Sequence, residues 1–119
     1  MAVLVRLSDH RRKRQAVFFS RPELNQLLTL YSRQVMVGRW RDYAIDQHHN
    51  GVLFSVFRHS REQPVFTIAK FAPGPRPNEA YMLYSGPQRL AAAASLAEIL
   101  KSLETQLHAA RPVSFENYR

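Results

Sequence analysis

The segment from Trp40 to Phe71 constrains the fold most, because it follows the pattern of consecutive antiparallel β-strands. Asn50-Gly51 separates two runs that are rich in β-branched and aromatic residues. Asparagine and glycine both tolerate the positive φ angles of a tight hairpin turn. After a polar connection over residues 59–64, Val65–Phe71 resumes a strand pattern. The segment therefore predicts three consecutive strands.

A turn centred on Asn50-Gly51 also predicts the register of the first two strands, with Ile45 opposite Val56. Because side chains alternate across a strand, each strand contributes to two faces of the sheet. The predicted core face holds Tyr43, Ile45, Val52, Phe54 and Val56. The other face holds Ala44, Asp46, Leu53, Ser55 and Phe57.

A first helix is predicted over residues 21–37, before the sheet. Ser20 and Glu23 have the spacing of a capping box, and Pro22 lies in the first turn, where its missing N–H does no harm. Gly38 is the expected left-handed stop.

A second helix is predicted after a short fourth strand, Tyr81–Tyr84. Ser85 and Gln88 repeat the capping pattern, and the alanines at positions 91–94 favour a helix. The helix is expected to end near Ala110, before Pro112.

The predicted fold class is therefore α+β: a helix, a three- to four-stranded antiparallel meander and a helix, with both helices packed on one face of the sheet. Residues 1–15 are predicted to form a flexible basic arm, residues 16–110 a single domain, and residues 111–119 a C-terminal tail.

Most of the net charge of +8 belongs to the amino-terminal end. Met1–Arg21 contains six basic residues and one acidic residue, which leaves +5 in this stretch. Clustered cations gain most from counterion release beside phosphates. The predicted site for an anionic partner, such as nucleic acid or an acidic protein, is therefore Arg11, Arg12, Lys13 and Arg14.

A second candidate site lies at Gly38–Tyr43, which combines two cations, an acid and two aromatic residues. An exposed Trp40 between Arg39 and Arg41 would stack on a nucleobase or hold an anionic ligand. Alternatively, Trp40 and Tyr43 belong to the core, and Arg41 and Asp42 form a surface pair that contributes little. The core interpretation is favoured, and Arg39, Trp40 and Arg41 are kept as candidate anion-binding residues.

No metal site, cofactor or catalytic activity is predicted. Asp46, His48, His49 and His59 are potential ligands, but the predicted register points the two adjacent histidines to opposite faces, so three ligands do not converge. The sequence contains no nucleophile elbow and no glycine-rich phosphate loop. It also has no cysteine and no run of about 20 apolar residues, which predicts a soluble, cytoplasmic protein without a membrane partner.

Three stretches carry a resemblance to a known family: LYSRQVMVGRWRDYAID (Leu30–Asp46), VLFSVFR (Val52–Arg58) and PVFTIAK (Pro64–Lys70). Gly-x-Trp-Arg-Asp-Tyr-Ala, over Gly38–Ala44, is the most specific of them. The chain resembles the domain of unknown function 2794 family, which is bacterial and seen mainly in alphaproteobacteria. The resemblance implies a cytoplasmic bacterial protein without an assigned activity, and it supplies no catalytic residues.

Two functional hypotheses follow from these observations. The first is a non-catalytic binding module for an anionic partner such as nucleic acid, which the clustered cations favour. The alternative is a protein–protein interaction or adaptor domain that acts through a sheet edge or through self-association, for example as a homodimer.

Overall fold

The structure, a computed structural model, describes residues 16–59 and 63–116, with side chains up to residue 109. Its elements confirm the α+β class, but the sheet has five strands instead of the predicted three or four. In chain order, the elements are α1 (Arg21–Met36), β1 (Asp42–His48), β2 (Gly51–Phe57), β3 (Phe66–Phe71), a 3-10 turn (Pro77–Glu79), β4 (Tyr81–Ser85), β5 (Gln88–Ala93) and α2 (Leu96–Glu116).

The five strands form an antiparallel meander in the order β1-β2-β3-β4-β5. In the first hairpin, Ile45 pairs with Phe54, and the turn residues are His49 and Asn50. The predicted register is therefore wrong by two residues, and Gly51 lies in β2 without a positive φ angle. Because side-chain direction repeats every two residues, a shift of two leaves the predicted faces of the hairpin unchanged. The predicted burial of Tyr43 and Ile45 is wrong, however, because on the edge strand β1 they are 39% and 43% exposed.

Helix α1 begins where the sequence predicts. The Ser20 Oγ accepts a hydrogen bond from the Glu23 amide at 3.2 Å, and the Glu23 carboxylate accepts one from the Ser20 amide at 2.8 Å. This confirms the capping box. Gly38 follows the helix with a φ angle of 84°, the left-handed conformation expected of it.

The prediction for the second helix is wrong at its start. Gly86 turns the chain with a φ angle of 58°, and the alanine-rich segment that follows forms β5, with Ala91 opposite Leu83. The Ser95 Oγ accepts a hydrogen bond from the Glu98 amide at 3.3 Å, at the start of α2. This helix also continues to Glu116, beyond the predicted end near residue 110.

The core lies between the helices and one face of the sheet, so both helices cover the same face. Val17 and Phe19 enter this core from the segment before α1, whereas Phe18 between them is 64% exposed. The predicted arm over residues 1–15 lies outside the described residues. Neither of the described helices has an apolar stretch that could cross a bilayer. The buried cluster contains Val17, Phe19, Leu27, Leu30, Trp40, Val52, Phe54, Val56, Ile68, Leu83, Leu96, Ile99, Leu103 and Leu107.

Candidate interaction surface

Trp40, one of the predicted anion-binding residues, lies in the core. Its side chain is 3% exposed, and its ring lies 6.3 Å from the Tyr31 ring and 6.4 Å from the Phe66 ring, measured between centroids. A base cannot stack on an indole that is already enclosed by α1 and β3. The structure therefore corrects the prediction of Trp40 as a binding residue and supports its core alternative.

The two arginines beside Trp40 have different surroundings. Arg39 is half-buried, and its guanidinium donates to the Gln34 side-chain oxygen at 3.0 Å. It lines a groove between α1 and α2 together with Arg33 and Glu104, so an acid already lies among these cations. Arg41 is exposed at the start of β1.

The other predicted anion-binding residues give no further geometry. Arg11–Arg14 lie outside the described residues. Within the described part of the chain, no group of three or more His, Cys, Asp or Glu side chains is placed to hold a metal ion.

A partly buried polar cluster joins α1 to the sheet on the helix-covered face. Lys70 on β3 donates to the Glu23 carboxylate and to the Phe18 carbonyl, each at 2.8 Å, and the Tyr81 hydroxyl on β4 donates to the second Glu23 oxygen. The exposed fractions of the Lys70 and Glu23 side chains are 22% and 14%. Sequence reasoning finds the cap formed by Glu23 but not these partners, because they lie about 50 residues further along the chain.

The cluster changes the acidity of two of its members. Burial alone would raise the pKa of Glu23, but hydrogen bonds from Lys70, Tyr81 and the Ser20 amide, together with the Lys70 charge, lower it below its ordinary value. Burial and the hydrogen bond to the neighbouring carboxylate raise the pKa of Tyr81 to about 12. At neutral pH, Glu23 is therefore ionised and Tyr81 is protonated. In these states Glu23 forms an ion pair with Lys70 and accepts a hydrogen bond from Tyr81, and both contacts hold α1 on the sheet.

We expect Glu23→Gln to lower the free energy of unfolding by about 1–2 kcal/mol at neutral pH, because a charged acceptor loses its charge within a partly buried network. A lowered pKa in the folded state stabilises the protein above the unfolded pKa, and this contribution is lost as pH falls through the folded value. The difference between Glu23→Gln and the wild type should therefore shrink below about pH 4. Urea denaturation from acidic to neutral pH measures it.

Glu79→Gln is the matched control, because Glu79 forms a longer, more exposed ion pair with Arg76 at 3.5 Å. Its expected effect is below about 0.5 kcal/mol at every pH. A Glu23→Gln effect of constant size across this pH range would contradict the assigned role of the ionised carboxylate.

The opposite face of the sheet is covered by neither of the described helices. Strand pairing carries this surface across all five strands, with Leu53, Ala69 and Met82 at the centre of one cross-strand row. We call it the open face. Its residues are Asp42, Ala44, Asp46, His48, Gly51, Leu53, Ser55, Phe57, Thr67, Ala69, Phe71, Met82, Tyr84, Arg89 and Ala92.

The centre of the open face is apolar. Leu53 and Met82 are half-buried and lie outside the core cluster, and Ala69 has an exposed fraction of 0%. Ser55 and Thr67 satisfy each other through a hydroxyl hydrogen bond of 3.1 Å, so this face offers little unpaired polarity at its middle.

Charges on the open face lie only on its two edge strands. Asp42 and Asp46 lie on β1 at one edge, and Arg89 lies on β5 at the other. The surface thus has an apolar centre with an acidic edge and a basic edge, the arrangement of core and rim seen in protein interfaces.

A comparison with protein-family models gives a match over residues 17–100 to a protein of unknown function, DUF2794. The chain belongs to the DUF2794 family. No curated protein and no solved structure matches the chain in the other two comparisons. The region matched by DUF2794 includes all five strands and therefore the whole open face, whereas Arg11–Arg14 precede it.

The sequence of this DUF2794 chain predicts part of the open face. The alternation in the first hairpin already groups Asp46, Leu53 and Ser55 on the face opposite the core. The part of the open face on β5 is not found from the sequence, because the alanines of this segment favour a helix. A strand pattern at positions 88–93 would have placed Arg89 at the far edge.

Proposed function

We propose that this protein is a non-catalytic interaction module that binds another protein through the open face of its sheet. The observation that carries the proposal is the apolar centre of that face, where the half-buried Leu53 and Met82 flank the fully buried Ala69 and are covered by neither of the described helices. An antiparallel sheet that faces water usually places polar residues on its outer side. A contiguous apolar patch that departs from this pattern is typical of a binding surface.

The charges of the open face suit a protein better than a nucleic acid. Two of the three charged residues on it, Asp42 and Asp46, are acidic and would repel phosphates. Binding of nucleic acid through Arg11–Arg14, Arg39 and Arg41 stays a prediction from the sequence. It has less support in the body of the protein, because the aromatic ring between the last two arginines is buried.

The proposal of a non-catalytic role draws on the Glu23 cluster. Its ionisable members are engaged with one another, and the cluster joins α1 and the preceding segment to the sheet. General acid–base catalysis needs a group that exchanges protons near neutral pH. Tyr81, with its pKa raised to about 12, is poorly suited to that task.

Site-specific photo-crosslinking in cells tests the proposal. With p-benzoylphenylalanine in place of Leu53, we expect a crosslink to a protein that persists after nuclease treatment. The matched control carries the same group in place of Gln106, which is exposed on α2 and distant from the open face. Adding Met82→Lys to the Leu53 variant should abolish the crosslink, because a charge two strands away in the same row disrupts the apolar contact.

Two results would contradict the proposal. Equal crosslinking from positions 53 and 106 would show that the open face is no preferred contact. Crosslinks to nucleic acid, removed by nuclease, would favour the anionic-partner hypothesis instead. Thermal unfolding of each variant verifies that it is folded.

A further inference from the structure

We infer that the partner of the open face is a second copy of this chain, stacked face to face about a two-fold axis that runs parallel to the strands. This inference rests on the proposed function, since it names the protein that the open face binds. Identical surfaces pair through a two-fold axis only when each part of the surface complements the part that the rotation places on it.

The position of Arg89 is the observation that selects this partner. Successive strand pairings connect Arg89 through Tyr84, Thr67 and Ser55 to Ala44, so these five residues form one row across the open face. The β4–β5 register shifts between Leu83 and Tyr84, and the pairing of Arg89 with Tyr84 follows this shift. Ala44 lies between Asp42 and Asp46 on β1. Arg89 on one edge is therefore level with the midpoint of the acidic pair on the other edge.

With a two-fold axis parallel to the strands, this alignment brings Arg89 of one copy close to the acidic pair of the other. The rotation places β5 of one copy over β1 of the other and keeps every residue in its row. Arg89 then faces Ala44 of the second copy, whose small side chain leaves room for a guanidinium. Each flanking carboxylate is two residues away along the strand, or about 6.6 Å, which an arginine side chain spans.

The alternative two-fold axis, perpendicular to the strands but in the plane of the sheet, fails this requirement. It places β1 over β1 of the second copy in the reverse direction, so the acidic pair Asp42 and Asp46 of one copy would face the same acidic pair of the other. Like charges across an interface oppose association. The charge distribution therefore favours the two-fold axis that runs parallel to the strands.

The size of the open face is sufficient for such a pair. Five strands about 4.8 Å apart and about six residues long cover roughly 24 by 20 Å. Two such faces would bury about 1,000 Å² in total, which is the lower end of a specific interface. In the stacked pair, the apolar centres meet each other and the opposite charges lie at the rim.

Sedimentation velocity of the purified full-length chain over a range of concentrations tests the inference. We expect a dimer whose dissociation constant rises about 30-fold in Asp46→Arg, which converts two attractive contacts per dimer into repulsive ones, and by more in Arg89→Glu, which converts four. The double variant, Asp46→Arg with Arg89→Glu, should lower the dissociation constant at least about threefold relative to either single variant, because the new glutamate then attracts the new arginine while Asp42 still opposes it. Arg76→Glu, an exposed change outside the open face, should have no effect.

The other outcomes overturn the inference in distinguishable ways. A monomeric wild-type chain would exclude the second copy, while protein crosslinks from position 53 would still support the proposed function. A dimer that is insensitive to all three charge variants would assign association to another surface, such as a sheet edge. Loss of the dimer in the single variants without partial restoration in the double variant would reject the cross-copy pairing of these residues.

Discussion

Trp40→Ala is expected to lower the free energy of unfolding by about 3–5 kcal/mol and the melting temperature by about 15–30 °C. Trp40 is 3% exposed and lies between Tyr31 on α1 and Phe66 on β3. Removing its indole leaves a cavity where the helix meets the sheet, and the rigid strand cannot collapse to fill it. Because Trp40 is the only tryptophan, its fluorescence reports unfolding of the wild type, and circular dichroism follows both proteins.

The matched control for Trp40→Ala is Met36→Ala, because Met36 is the last residue of α1, the helix that Trp40 contacts, and 84% of its surface is exposed. Its effect should stay within about 0.5 kcal/mol. An unfolding free energy for Trp40→Ala close to that of the control would contradict the core assignment. It would also reopen the prediction that this indole contacts a ligand, which a quenching titration with oligonucleotides would then detect.

The parts of the fold that the sequence predicts correctly depend on contacts between near neighbours. The cap of α1 joins Ser20 to Glu23, three residues apart, and Gly38 relieves strain within its own backbone. The two faces of the first hairpin depend only on the alternation of side chains. Such signals are complete within a short window, so they need no knowledge of the distant chain.

The errors occur where distant contacts decide the structure. Alanine favours a helix in isolation, yet Ala91 and Ala92 pair with Leu83 and Met82 and complete the sheet. Ser85 and Gln88 have the spacing of a helix cap, but they pair across a turn instead. Intrinsic propensity differs by less than about 1 kcal/mol per residue between such states, so tertiary pairing overrides it.

The candidate site shows the same division. Asp46 and Leu53 could be assigned to one face from the hairpin alone, whereas the match between Arg89 and β1 depends on four successive strand pairings. Trp40 illustrates the converse difficulty. Its flanking arginines indicate a binding surface by composition, and only the packing of α1 against the sheet shows that the ring between them is enclosed.

Gly51→Ala is expected to lower the free energy of unfolding by about 3 kcal/mol, for a reason that differs from the one its sequence context suggests. Gly51 has no positive φ angle, so turn geometry does not require a glycine at this position. A Cβ at this position would lie 2.8 Å from the Lys70 carbonyl oxygen and 3.0 Å from the Phe71 ring. Because the first of these contacts involves the backbone of β3, relief requires β2 and β3 to separate.

Gly74→Ala provides a control of the same chemistry without the crowding. The nearest atom to a Cβ at Gly74 is the Ala72 carbonyl oxygen at 3.9 Å, and this glycine also lacks a positive φ angle. The change should therefore be neutral or stabilise the protein by up to about 1 kcal/mol, because alanine restricts the unfolded chain. Chemical denaturation of both variants separates the two causes. If Gly51→Ala were as stable as Gly74→Ala, β2 would have to be free to move away from β3. That result would contradict a rigid open face. It would also weaken the case that one row of residues aligns Arg89 with Asp42 and Asp46.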